Sequence, residues 1–251
     1  QPKIEFSFPG VEVHRFRTEH RSKLIRLTSL VLMIVKLSML RLWHPNCEID
    51  FDPVGVVVGE RAFGATGITI HHHHEILFED NRGRYISRAR KALVNADLIT
   101  VADEDRRKLM EAEDPPPRRS ITVRNTPVLA DVLNEGARRK KSFSVVYFGS
   151  VGPAQCLDTA VKSMSDWPDD VCLHIYGARP NGYAAELLKM AKTLGLNERV
   201  VFEPWLSTRQ LLPVVAQYHL ALTLLRPLND NWPYSAGASN KPFQAMAAGV
   251  T

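Results

Sequence analysis

Asn240 and Lys241 open the segment NKPFQAMAAG, directly after a loop, RPLNDNWPYSAGAS, that is too rich in Pro, Gly and Asn to be core. A helix starting here presents free backbone N–H groups and a partial positive charge in its first turn, and Lys241 adds a full charge at the same spot. That combination suits a phosphate. Asn240 can cap the helix or bind a ligand hydroxyl. Gln244, one turn further on, can hydrogen-bond but carries no charge. Ala245, Ala247, Ala248 and Gly249 let the same helix pack close to a sheet. A second group is the run HHHHE at residues 71–75, which continues an apolar strand. Strand neighbours point to opposite faces, so His72 and His74 share one side and His71 and His73 the other. Only alternate histidines converge, which weakens the reading as a metal site; a structural strand-end histidine is the other reading. The stretch DEDR at residues 103–106 also tempts a metal reading. A cap at Asp103 with Glu104 and Asp105 in the first helical turn explains it more simply.

Short β-rich runs alternate with helical patterns along the chain, as in βαβ units and parallel sheets. In the first half the pattern predicts strands at residues 54–58, 67–71, 97–102 and 120–123. It predicts helices at residues 24–43, 81–95 and 103–111, the last ended by Pro115, Pro116 and Pro117. Residues 126–141 read as a linker, and the four cations at 138–141 as its solvated part. The alternation then restarts. FSVVYF at 143–148 is a buried strand, followed by a turn of Gly149, Ser150, Val151, Gly152 and Pro153 and a helix over 154–165. A strand at 171–176 ends at Gly177, and a helix over 183–194 ends at Gly195. A strand at 199–202, a helix over 208–217, a strand at 220–225 and a helix over 240–248 complete the order. The class is α/β, with two Rossmann-like domains, residues 1–125 and 142–251. Two such domains imply a cleft, and ligands of parallel sheets bind beyond the carboxyl ends of the strands.

Composition bounds the partners. Of 251 residues 45% are hydrophobic, enough for a sizeable core and against global disorder. The net charge of +5 favours anions, among them a nucleotide diphosphate or an acidic membrane surface. Nucleic acid is disfavoured, because the cations form no aromatic-interleaved patch. Cys47, Cys156 and Cys172 form no CxxC pair, which disfavours a disulfide framework and a cysteine zinc site and fits a reducing, cytoplasmic compartment. The N-terminal QPKIEFSFPG lacks the basic and apolar regions of a signal peptide. Residues 24–43 are apolar but carry Arg26, Lys36 and Arg41, and the uncharged run at 27–35 falls well short of the roughly 20 residues a spanning helix needs. The segment reads as a helix with one broad buried face, or as one that also rests on a membrane surface through its basic flank.

The segment SAGASNKPFQAMAAG at 235–249 resembles the S-N-K-x-F-E-x-M-A-x-G stretch of retaining GT-B glycosyltransferases of family four, with Ser239, Asn240, Lys241, Phe243, Met246, Ala247 and Gly249 matching. Upstream, ERVVFEPWLSTRQLLPVVAQYHLALTLLRP, CLHIYGARPNGYAAELLKMAKTLGL, FSVVYFGSVGPAQCLDTAVKSM, ALVNADLITVADEDRRKLM and ITIHHHHEILFED are similar to the family's successive elements, from about Asp52 onward. The resemblance implies a GT-B fold and sugar transfer from a nucleoside-diphosphate sugar to an acceptor hydroxyl, with retention and without a metal. The acceptor stays unidentified: a glycan, a lipid-linked or a small molecule. The resemblance assigns donor binding to Gly149, Ser150, Gly152, Gly177, Ser239, Asn240, Lys241 and Gln244, and approach of the acceptor to His74 and Glu75. It also implies a strand and glycine loop before Gln1 and a strand and helix after Thr251. The sequence departs from the family pattern at Ala236 and Gln244, where glutamates are usual, and at Ser150 and Cys156, where a basic pair is common. Those departures leave two alternatives: a GT-B-fold protein that binds or scaffolds without turnover, and a sugar-nucleotide epimerase.

Overall fold

The computed structural model describes residues 47–51, 68–73, 83–112, 116–127, 140–177, 182–228 and 232–251, with positions 28, 31, 32, 34, 35, 38 and 39 of a helix. The chain divides into two compact units. The first takes in Gln1–Val101 and Leu109–Ile121, the second Ala102–Lys108 and Thr122–Thr251.

The first unit holds a four-stranded sheet in the order β1-β2-β3-β4, with β1 at Cys47–Phe51, β2 at Ile68–His73, β3 at Leu98–Val101 and β4 at Ser120–Thr122. β1 pairs with β2, and β2 with β3, in parallel. Helix α1, Gly83–Asn95, sets Ala89, Ala92 and Leu93 against Ile99 and Val101 of β3. Asp97 fastens the start of β3 to β2: its carboxylate accepts the Thr69 N–H at 2.9 Å, and that bond holds the carboxyl below the usual range. Along β2, His71 and His73 are buried while His72 between them is half-buried and bonds Thr100 Oγ1 through Nδ1 at 2.6 Å, as strand alternation requires.

The strand expected at 54–58 lies outside the described residues. CEIDF is a strand that the sequence pattern does not predict. Its two acids and short length hide it from propensity, and the parallel register Cys47↔Ile68 to Phe51↔His72 creates it. Within the helix expected at 24–43, the described positions 28, 31, 32, 34, 35, 38 and 39 are helical. Val31, Leu32, Val35 and Met39 are each at least half exposed, while Ile34 and Ser38 are partly covered.

The second unit carries four parallel strands in the order β7-β6-β5-β8. They are β5 at Ser144–Phe148, β6 at Cys172–Tyr176, β7 at Val200–Glu203 and β8 at Leu220–Ala221. β5 is buried along all five residues, the mark of a central parallel strand covered on both faces. Val145 and Tyr147 face one cluster with Leu157 and Val161 of α3 (Leu157–Ser163) and Leu187 and Ala191 of α4 (Tyr183–Thr193). Val146 and Phe148 face the other, with Leu212 and Val215 of α5 (Thr208–Val215) and Ala245 and Ala247 of α6 (Asn240–Ala247). The alanines that promised close packing of α6 thus lie against the sheet.

The helix expected over 154–165 is broken. Pro153–Gln155 and Met164–Asp166 are single 3-10 turns, and Cys156 takes a left-handed φ of 52° before α3 starts. Residues 220–225 form only a two-residue strand, with one further ladder bond from Leu222 N–H to the Val146 carbonyl, because the chain then veers to bond Arg226 N–H to the Ala154 carbonyl at 2.8 Å.

Candidate functional site

In the second unit β6 and β8 flank β5, so the crossovers leave on opposite sides and open a crevice at the carboxyl end of β5. Two glycines occupy the strand ends there. Gly149 follows β5 with φ 116° and Gly177 follows β6 with φ 93°, conformations that favour a residue without Cβ. The two turns also touch: a Cβ on Gly177 would run into the Gly149 carbonyl oxygen. A Cβ on Gly149 would stand 2.8 Å from Cε and 3.3 Å from Nζ of Lys241, so the glycine makes room for that side chain.

Helix α6 brings Lys241 to this point. Its N-cap position is Ser239, in extended conformation and with no side-chain cap bond, so Asn240 is the first helical residue rather than the cap. The first-turn N–H groups of Asn240 and Lys241 therefore stay available to a ligand, and Pro242 supplies none. Lys241 Nζ lies 5.6 Å from the centroid of the buried Tyr147 ring, a cation–π contact. Burial alone acts on its amine, pulling its pKa below the ordinary lysine value, and no carboxylate among the described residues offsets the charge. The Tyr147 hydroxyl donates to the Ser150 carbonyl and its pKa is pushed up by burial, so it is a neutral wall.

The two glycine turns and the start of α6 bound a cavity of about 320 Å³, inside the range of small-molecule sites. Gly149, Gly177, Asn240, Lys241 and Gln244 line it, five of the eight donor residues expected from sequence. Ser150 is exposed, Gly152 precedes the 3-10 turn with extended φ, and Ser239 holds the N-cap; none of the three is in the lining. His74 and Glu75 lie outside the described residues. The lining adds Phe148, Tyr176, Trp205, Leu206 and Leu211, which sequence reasoning missed. Trp205 had a signal: an aromatic residue in the short loop PWLS directly after a strand. It is 72% exposed, unusual for tryptophan, and it presents a flat apolar face at the cavity. Chemically the site offers a cation and helix N-terminus at one part, an amide at Gln244, and an aromatic surface.

Segment 102–108 contributes to the same unit. Asp103 does cap α2, Glu104–Glu111: its Oδ1 accepts the Asp105 N–H at 2.9 Å and the Arg106 N–H at 3.4 Å. Capping therefore accounts for the acidic cluster. Among the described residues no helix is long and apolar enough to cross a membrane.

No family model matches the chain, and neither does any curated protein. Solved structures do. The chain is similar to the lipopolysaccharide outer core galactosyltransferase WaaB in its apo form, at 15% identity and a TM-score of 0.62 over 93% of this chain and 62% of that one. Sucrose-phosphate synthase from Thermosynechococcus elongatus matches at 11% identity and a TM-score of 0.65, over 88% of this chain and 61% of that one. HepE of Anabaena in complex with UDP-glucose matches at 16% identity and a TM-score of 0.57, over 75% of this chain and 55% of that one. The chain spans 55% to 62% of the length of these three structures. Together with the two parallel sheets, the likeness establishes the GT-B fold.

Proposed function

We propose that the chain is a nucleotide-sugar glycosyltransferase, similar to family four, that moves a sugar from a nucleoside diphosphate to an acceptor hydroxyl with retention. One observation carries this reading: a half-buried lysine, with no carboxylate among the described residues to offset it, stands at a helix N-terminus beside two glycine turns. A cation in that position calls for an anion. In transfer, the bond from the anomeric carbon to the diphosphate oxygen breaks and negative charge grows on the leaving group. Lys241 and the first-turn N–H groups of α6 stabilise that charge without reorganising. Gln244 contacts the ribose or the sugar, and Trp205 takes the base on its ring. His74 and Glu75 are assigned to the acceptor side, where a base within reach of the hydroxyl removes its proton. Similar structures agree with the ligand class: HepE forms complexes with UDP and with UDP-glucose, and WaaB is a galactosyltransferase. A cytoplasmic location belongs to the same reading. So does independence from a metal, since Lys241 and α6 neutralise the diphosphate: a chelator leaves turnover unchanged.

The test is release of nucleoside diphosphate from a panel of nucleotide sugars, with acceptors present and absent. Release that disappears in Lys241→Ala supports the reading; undiminished release in that variant removes the role given to Lys241. Ala236 and Gln244 favour a second reading, a fold that binds the nucleotide without turnover. Nucleotide binding with no release from any donor would select it.

A further inference from the structure

The loop that leads into α6 is gripped by three side chains from elsewhere in the second unit. Arg106, only 3% exposed, donates from Nε to the Tyr234 carbonyl at 2.7 Å and from Nη2 to Ser235 Oγ at 3.1 Å. Asn125 Nδ2 donates to the Ala238 carbonyl at 2.8 Å. Between these contacts, the Asp103 carboxylate lies so close to Gly237 that a Cβ there would overlap it. Its capping bonds to the α2 backbone hold that carboxylate in place. The beginning of the loop is fixed as well, where Arg226 Nη2 reaches both Asp158 oxygens at 3.1 and 3.3 Å. The loop ends at Ser239 and passes directly into Asn240 and Lys241.

We propose that Arg106 is a positioning residue for the anion-binding end of the pocket. By holding Tyr234 and Ser235, with Asp103 and Asn125 completing the grip, it sets where the first turn of α6 and the Lys241 ammonium stand. The inference rests on the nucleotide-diphosphate reading above. A Pro-, Gly- and Asn-rich loop loses conformational freedom when a ligand orders it, and that loss weakens binding. A buried guanidinium with its planar fork on a carbonyl and a hydroxyl fixes the loop beforehand. Lysine cannot reproduce the fork, since it donates from a single nitrogen. Gly237 belongs to the same device, because only a residue without a side chain lets the carboxylate come so near.

The experiment measures UDP and uridine affinities by calorimetry and ligand-observed NMR on the full chain and on Arg106→Lys and Ser235→Ala. Ser235→Ala removes one acceptor and leaves the guanidinium in place, so it reports even where Arg106→Lys fails to fold. Lost hydrogen bonds to a charged group predict UDP binding weaker by about tenfold to a hundredfold in Arg106→Lys and less in Ser235→Ala. Uridine, which has no phosphate, keeps its affinity in both. Variants that bind UDP as the parent does overturn the proposal. So does a fall of UDP and uridine in equal proportion, which marks a merely structural role. A parent chain that binds neither ligand overturns the nucleotide reading itself, and this inference with it.

Discussion

Replacing Lys241 with methionine should stabilise the free protein and weaken the complex. Methionine keeps the unbranched stem that packs over Gly149 and Tyr147 but brings no charge to the site. In the parent the ammonium is desolvated with no carboxylate among the described residues to repay it. Exchanging a buried charge for a well-packed apolar group gains about 1–4 kcal/mol. The low end, about 1 kcal/mol, applies here, because the Tyr147 ring already returns part of the desolvation cost. In a chain of this size that raises the unfolding temperature by roughly 2–4 °C. Binding moves the other way. A charge-assisted contact to a phosphate is worth about 1.5–3 kcal/mol, so UDP affinity falls by roughly ten- to more than a hundredfold. Differential scanning calorimetry of the free chain and isothermal titration with UDP read both quantities. A variant that unfolds earlier than the parent and binds UDP equally well refutes the reasoning on both counts.

The same lysine gives opposite pH dependences. Its folded pKa lies below its unfolded one, so between the two the unfolded chain holds more protons, and the free protein gains stability as pH rises through that alkaline window. UDP affinity falls through the folded pKa, since the neutral amine no longer draws the phosphate; urea unfolding and UDP titration from pH 7 upward check the two slopes, and parallel slopes contradict the assignment. Gly177→Ala should destabilise by about 2 kcal/mol or more, because its Cβ meets the Gly149 carbonyl and its φ is 93°; urea denaturation reads it. Trp205→Ala should weaken UDP by about fivefold to a hundredfold through lost stacking while leaving the unfolding temperature within a degree or two, given its exposure; equal UDP affinity would remove the ring from the site.

The local signals that read correctly are those in which one residue type answers one physical demand. SVVYF is buried on both faces, with Phe143 before it exposed, Asp103 caps α2, and the alanines of α6 face the sheet. Gly149 and Gly177 end strands in conformations that favour glycine. What sequence did not reveal depends on partners far along the chain. β1 exists through its register with β2, although CEIDF alone has weak strand character. The break at Cys156 and the early end of β8 follow from how the chain turns beside Ala154 and Arg226. Arg106 carries no local signal beyond the DEDR run, and its acceptors at Tyr234 and Ser235 lie some 130 positions on. Trp205 carried a local signal, but its value depends on the cavity that β5, β6 and α6 form together with it.

A crystal structure of the full chain with UDP tests the central claim most directly. The account predicts the diphosphate within about 3 Å of Lys241 Nζ and of the first-turn N–H groups of α6, with the base against the Trp205 ring. UDP bound elsewhere, with Lys241 Nζ left in contact with the Tyr147 ring alone, would contradict it.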